Sequence, residues 1–231
     1  MAIIAGGTSE QKAGLRDALL SRLDRASPLL CEVAASCFSQ SLAHDLVVDS
    51  DFIRLFRILK YEDARVREPI IAELRDHIQV SGEIARKSIV DAGILPAILP
   101  AHSNQAKDDL LSFMITCLPI LGPSFAQSNG GSTLFPLLTN SDPRIRTAAT
   151  QALKNAVDSC HGNVENMAIA GIVKTLHSLA GTDEAIRDLW CRILPKVAPL
   201  LTNRTDVDIL FENLKYVVVT VVRRSWLTLS T

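Results

Sequence analysis

The segment Ser88-Ile89-Val90-Asp91-Ala92-Gly93-Ile94-Leu95-Pro96-Ala97-Ile98-Leu99 is echoed at a nearly fixed interval along this chain of 231 residues. Its Ala92-Gly93-Ile94 returns as Ala170-Gly171-Ile172, 78 residues later. Between them lies Gly130-Gly131, with Gly131 placed 38 residues after Gly93 and 40 before Gly171. A short apolar run follows each glycine: Ile94 to Leu99, Thr133 to Leu138, and Val173 to Leu179. An earlier copy of that run reads Phe52-Ile53-Arg54-Leu55-Phe56-Arg57-Ile58-Leu59. The closing leucines, Leu59, Leu99, Leu138 and Leu179, are 40, 39 and 41 residues apart. Such a period marks a repeat architecture, in which each unit buries its apolar face only against its neighbours.

A second signal rides on the same frame. Asp63-Ala64-Arg65-Val66-Arg67, Asp142-Pro143-Arg144-Ile145-Arg146 and Asp183-Glu184-Ala185-Ile186-Arg187 each begin four residues after a closing leucine. Aspartate is a good N-cap, because its carboxylate accepts from amides that the first helical turn leaves unpaired. Pro143 then occupies the favoured first helical position. The branched residue three places on faces inward and starts an apolar stripe, Ile145, Ala148, Ala149, Ala152, Leu153 and Ala156, at helical spacing. The equivalent stripe one copy earlier is Val66, Pro69, Ile70, Leu74 and Ile78. Asp63, Arg67, Asp142, Arg146, Asp183 and Arg187 are therefore expected to stabilise the repeats, the aspartates as caps and Arg146 by reaching an acidic or carbonyl group. The remaining copy departs, reading Ser103-Asn104-Gln105-Ala106-Lys107, so its cap must come from Ser103 or Asn104. Each unit reads as a helix ending near its leucine, a polar turn and a longer helix. In the better copies a further short helix follows, Gly82 to Ala92 and Asn163 to Ala170, and the glycine after it supplies a left-handed cap. Three helices per period make a helical solenoid.

Composition agrees. Apolar residues form 48% of the chain and aromatics only 5%, so the core rests on Leu, Ile, Val and Ala, which favours helices. Twenty-four basic residues against 25 acidic ones leave a net charge of -1, and no overall basic field exists to hold nucleic acid. The start, Met1-Ala2-Ile3-Ile4-Ala5-Gly6-Gly7, has no basic region before its short apolar run, unlike a secretory signal. No stretch approaches the roughly 18–20 uninterrupted apolar residues of a membrane span. Five scattered cysteines are read as small buried hydrophobes rather than a disulfide framework. The expectation is an intracellular chain without a membrane span, in the cytoplasm, the nucleus or both.

The segment Ser88 to Pro96 resembles the corner of an armadillo repeat, whose units end in an Ile/Val-x-Ala-Gly element and continue into a leucine-rich second helix and a long third helix. The Asp-x-x-Val-Arg element is shared with the related HEAT repeats. The resemblance covers roughly residues 15 to 213 and implies an all-α fold, a right-handed superhelical solenoid of about five armadillo-like repeats. Residues 1–215 would form this domain, with atypical first and last repeats. Residues 216–231 would form a C-terminal tail or cap, because Tyr216-Val217-Val218-Val219-Thr220-Val221-Val222 is β-branched, unlike the helices before it. A terminal cap, an edge strand and a tail from an altered reading of the gene all remain open for it.

The resemblance also implies a binding face. Armadillo third helices line a concave groove, and members that bind nuclear-import signals carry Trp-x-x-x-Asn there. The matching pairs, aligned on Leu74, Leu118, Leu153 and Leu194, are Ala72/Asp76, Thr116/Ile120, Gln151/Asn155 and Arg192/Lys196. Only Asn155 matches and no Trp does, so the resemblance stops short of an importin-type receptor. Asp76, Thr116, Gln151, Asn155, Arg192 and Lys196 are the groove candidates. They run from acidic through neutral to basic, which suits an extended peptide of mixed charge, with Gln151 and Asn155 clamping its backbone.

No phosphate-binding glycine loop, nucleophile elbow or His-Glu-x-x-His motif occurs. Cys160-His161 is the only adjacent cysteine and histidine, and it falls at a helix end, where a histidine is favourable without catalysis. The absence of Cys-x-x-Cys and of paired histidines gives no metal site and no cofactor. Arg54, Arg57, Lys60, Arg65 and Arg67 are diluted by Glu62 and Asp63 and read as a solvated face. The leading expectation is a non-enzymatic scaffold for a protein or peptide partner, with an uncapped end open to self-association. The second is a nucleic-acid-associated or nuclear-transport adaptor using the basic faces Arg54–Arg67 and Arg192–Lys196. The third is an enzyme centred on Cys160-His161.

Overall fold

Gly93, Gly131 and Gly171 have backbone φ of 86°, 73° and 88° in the computed structural model. A side chain beyond Cα disfavours this left-handed region, because Cβ crowds the following carbonyl oxygen. Each glycine sits where one helix ends and the next begins. The Gly93 amide donates to Val90 O at 2.9 Å, and its own carbonyl accepts from the Ala97 amide at 3.2 Å. Gly171 repeats the arrangement, its amide on Ala168 O at 3.1 Å and its carbonyl under the Thr175 amide at 3.2 Å.

The structure describes residues 49–60, 64–99, 108–129, 131–159, 161–179 and 184–200, with single positions at 8, 11, 14, 18 and 208. The first expected repeat apart from those single positions, the last repeat beyond Leu200, the tail 216–231, Asp63, Asp183, Ser103, Asn104 and Cys160 lie outside these residues. The chain divides into two compact units, Met1–Leu121 and Gly122–Thr231. The first holds α1 (Asp49–Ile58), α2 (Ala64–Val80), α3 (Glu83–Asp91) and α4 (Ile94–Ile98). Helix α5 (Asp108–Asn129) begins in this unit and ends in the second. The second continues with a 3-10 helix (Ser132–Thr139), α6 (Pro143–Ser159), α7 (His161–Ile169), α8 (Ile172–Leu179), α9 (Glu184–Val197) and a 3-10 turn (Ala198–Leu200). No strand occurs among the described residues.

Within each unit like packs on like. The second helices α1 and α4 touch in the first unit, as do the 3-10 helix and α8 in the second, where the third helices α6 and α9 also lie side by side. The expected stripe Ile145, Ala148, Ala149, Ala152, Leu153 and Ala156 is wholly buried. Its counterpart in α2 needs correction: Val66, Ile70, Leu74 and Ile78 are buried, joined by Ile71 and Arg67, whereas Pro69 is only half-buried. Cys117 is buried but Cys191 is exposed, so the expectation of buried cysteines fails at the latter. The run after Gly131 is 3-10 rather than α. Pro96 is the third residue of α4, where its missing amide would have had no partner. Pro136 is the fifth of its helix and would interrupt an α-ladder. The Leu134 amide instead closes a tight bond on Gly131 O at 2.8 Å. Helix α5, at 22 residues, is long and apolar enough to cross a membrane by length and composition. Most of its apolar side chains, among them Leu110, Phe113, Met114, Leu121 and Phe125, are buried in the protein, while Ile115 and Ile120 are half-buried.

In the first unit one ion pair ties third helix to third helix. Arg67 donates from Nε to Asp109 Oδ2 at 2.9 Å and from Nη2 to Asp109 Oδ1 at 3.1 Å, with the arginine side chain 3% and the aspartate 19% exposed. Asp109 also lies in the first turn of α5, where negative charge suits the helix end. Asp109→Asn leaves the buried guanidinium uncompensated and is expected to destabilise by about 3–5 kcal/mol, measured by urea denaturation. In the second unit the contact of α5 with α6 admits no side chain at Gly122, where an added Cβ would lie 2.1 Å from Ala152 O. Gly122→Ala is expected to destabilise by about 1–3 kcal/mol. Gly82→Ser, at an N-cap with nothing within 4 Å of the new Cβ, should leave the melting temperature level or slightly raised. Equal melting temperatures for wild type and Gly122→Ala would show that the helices can separate at no cost.

Candidate functional site

Burial of one stripe decides what the opposite stripe presents. In α6, Ala148, Ala149, Ala152, Leu153, Ala156 and Val157 point inward, which turns Gln151, Lys154, Asn155 and Asp158 toward solvent. In α9, Ile186, Leu189, Trp190, Ile193, Leu194 and Val197 are buried, and Asp188, Arg192 and Lys196 emerge. The two helices run parallel and in register: Lys154 pairs with Asp188 and Asp158 with Arg192, each 34 residues apart.

The pairs differ in closeness. Lys154 Nζ donates to Asp188 Oδ2 at 2.6 Å. Lys196 Nζ donates to Val157 O at 2.9 Å and to Asp158 Oδ1 at 3.3 Å. Arg192 is looser, with Nη1 3.5 Å from Asp158 Oδ2 and Nε 3.7 Å from Asp188 Oδ2. Gln151 donates from Nε2 to Asn155 Oδ1 at 2.8 Å, one turn along the same face. The hydrogen bond from Lys154 holds the Asp188 carboxyl below its ordinary value, with the charges of Lys154 and Arg192 acting the same way. These are exposed pairs, each worth little to stability.

The expected basic end of the ladder is thus a mixed one. Asp158 and Asp188, absent from the sequence-based set, interleave with Arg192 and Lys196. Their signal was present, since Asp158 is three residues after Asn155 and Asp188 four before Arg192, both on the same helical face. In the first unit Asp76 is exposed and Thr116 half-buried, the Thr116 hydroxyl donating to Ser112 O at 2.8 Å. Beside them Arg75 Nε is buried without an acceptor. Burial pushes the Cys117 thiol up to about 12, the Arg75 charge opposing it, so this thiol stays protonated at neutral pH. Trp190, two places from the ladder, is buried with its Nε1 unpaired.

The three periodic arginines sit differently. Arg67 is sealed against Asp109, Arg146 donates from Nη1 to Asn140 O at 2.9 Å and Ser141 O at 3.1 Å, and Arg187 is exposed on α9. Asp142 precedes α6, its Oδ1 accepting from the Arg144 amide at 2.8 Å while Oδ2 accepts from Arg144 Nη2 at 2.8 Å. His161 is the first residue of α7. Among the described residues no group of three or more His, Cys, Asp or Glu is placed to hold a metal.

Solved structures share this arrangement of helices. An engineered protein matches 86% of this chain over 87% of its own, at 21% identity and a TM-score of 0.50. Computationally designed armadillo repeat proteins for modular peptide recognition match 85% of this chain over 87% of theirs, at 14% identity and a TM-score of 0.54. A designed armadillo repeat protein matches the same shares at 13% identity and a TM-score of 0.50. No family model matches the chain, and no curated protein does. The fold is all-α and armadillo-like; at these identities the likeness concerns the fold alone.

Asp142 offers a test of the helix start. The Arg144 side chain, then the Arg144 amide, holds its carboxyl below the ordinary value of 3.8. A carboxyl depressed in the folded state contributes stability above its unfolded pKa and loses it as the pH falls through the folded one. Asn caps almost as well as Asp, so Asp142→Asn isolates the charge. Wild type should melt higher than Asp142→Asn at neutral pH, and the gap should close as the pH drops below 3.8. Asp142→Ala should melt lower still at neutral pH.

Proposed function

We propose that the protein is a non-enzymatic scaffold that binds an extended protein segment along the outward faces of its third helices, α6 and α9 foremost. The side-by-side packing of these helices carries the reading. It leaves a continuous polar face in which an amide pair, Gln151 and Asn155, adjoins charged side chains on both helices. Amide side chains donate and accept, as a peptide backbone does, so they can hold an extended segment irrespective of its side chains. The designed relatives made for peptide recognition support the reading without identifying a partner. The nucleic-acid alternative draws less support, because Asp158 and Asp188 interleave with Arg192 and Lys196 on this face and would repel a phosphate backbone.

The test is selection of displayed short peptides on the full chain, followed by titration of the recovered peptides. Asn155→Ala should weaken them about three- to tenfold, the loss of one hydrogen bond, while the melting temperature holds. Affinities that ignore both Asn155→Ala and Gln151→Ala would place binding elsewhere.

A further inference from the structure

Among the cations paired across α6 and α9, Arg192 is the one whose hydrogen-bonding fork is not closed. Lys154 and Lys196 each have an acceptor at ordinary hydrogen-bond distance, Asp188 at 2.6 Å and Val157 O at 2.9 Å. Arg192 touches two different carboxylates at 3.5 and 3.7 Å, one nitrogen to each, and is 53% exposed. A guanidinium and a carboxylate prefer two parallel short bonds, and this chain shows that geometry in Arg67–Asp109. Asp158, for its part, is divided between Arg192 and Lys196, no closer than 3.3 Å to either. The three paired cations, Lys154, Arg192 and Lys196, share the two carboxylates Asp158 and Asp188, while Glu184 begins the α9 stripe one turn before Asp188.

We propose that Arg192 receives an acidic side chain of the bound segment, exchanging its loose contact with Asp158 for a two-bond pair. The proposal rests on the scaffold reading above and adds the chemistry of the partner: an extended peptide with an aspartate or glutamate. The exchange is easy, because exposed pairs at these distances hold little free energy in water. The spacing suits an extended chain. Adjacent packed helices lie about 8–10 Å apart and a strand rises about 3.3 Å per residue. A backbone held at Asn155 therefore brings a side chain two or three residues away to Arg192.

The experiment titrates the full chain against two fluorescein-labelled probes, an alternating Glu-Ala peptide and an alternating Lys-Ala peptide, by fluorescence anisotropy at low ionic strength. The acidic probe should bind about tenfold or more tighter than the basic one, the scale of a hydrogen bond to a charged group. Arg192→Gln should abolish most of that difference. Asp158→Asn, which removes the competing carboxylate, should tighten the acidic probe several-fold, and both variants should melt with wild type. Equal affinity for the two probes overturns the proposal, as does acidic-probe binding that Arg192→Gln leaves unchanged. So does weaker acidic-probe binding in Asp158→Asn. Failure of both probes overturns it too. A basic probe bound in an Asn155-dependent way, with the acidic probe rejected, overturns it while leaving the scaffold reading in place.

Discussion

The left-handed backbone at Gly93, Gly131 and Gly171 is the constraint from which the rest of the described structure follows. Helices of fewer than about a dozen residues are marginal alone, and those flanking Gly93 and Gly171 are short: nine residues in α3, five in α4, nine in α7 and eight in α8. They persist because the glycine reverses the chain within one residue and lays two short helices against a longer third. Like helices of successive repeats then touch within each compact unit, α1 on α4 and α6 on α9, and apolar stripes that no single repeat could bury are buried there.

Polar groups are handled in two ways, set by depth. Between α2 and α5 the Arg67–Asp109 pair is shielded, bidentate and placed at a helix start. A charge so buried must be paired, since an unpaired one would carry several kcal/mol of desolvation. Between α6 and α9 the pairs are exposed and uneven, from 2.6 Å at Lys154–Asp188 to 3.7 Å at Arg192–Asp188. Such pairs align neighbouring helices without committing their side chains. Under the function proposed above, these exposed contacts are the ones that a bound segment would exchange for its own.

Among the described residues, that division supports the scaffold proposed above. A reactive site needs groups whose protonation is tuned by burial beside a solvent-accessible cleft. Here the buried thiol Cys117 is driven toward its protonated form, and the carboxyls with lowered values, Asp142 and Asp188, are exposed groups held by neighbouring cations. Their perturbation is that of helix caps and surface pairs.

Much of the fold was legible from sequence because the repeat writes the same local physics several times. Glycine after Ala, aspartate ahead of a branched residue, and leucine at a fixed offset each have a local meaning, and their shared period gives the architecture. Asn155 and Gln151 could be placed on an outward face because Leu153 between them had to point inward. What the period could not convey was pairing across helices. Nothing local distinguishes Arg67, sealed on Asp109, from Arg146, satisfied by carbonyls, or from Arg187, exposed on α9. Asp158 and Asp188 likewise became part of the face only when α6 and α9 were set in register. Among the described residues, sequence by itself determined the order of the helices and most of the buried stripes of α2 and α6, because helical periodicity and backbone sterics act over a few residues. The tertiary structure alone decided which charges meet, because that depends on the register of helices more than thirty residues apart.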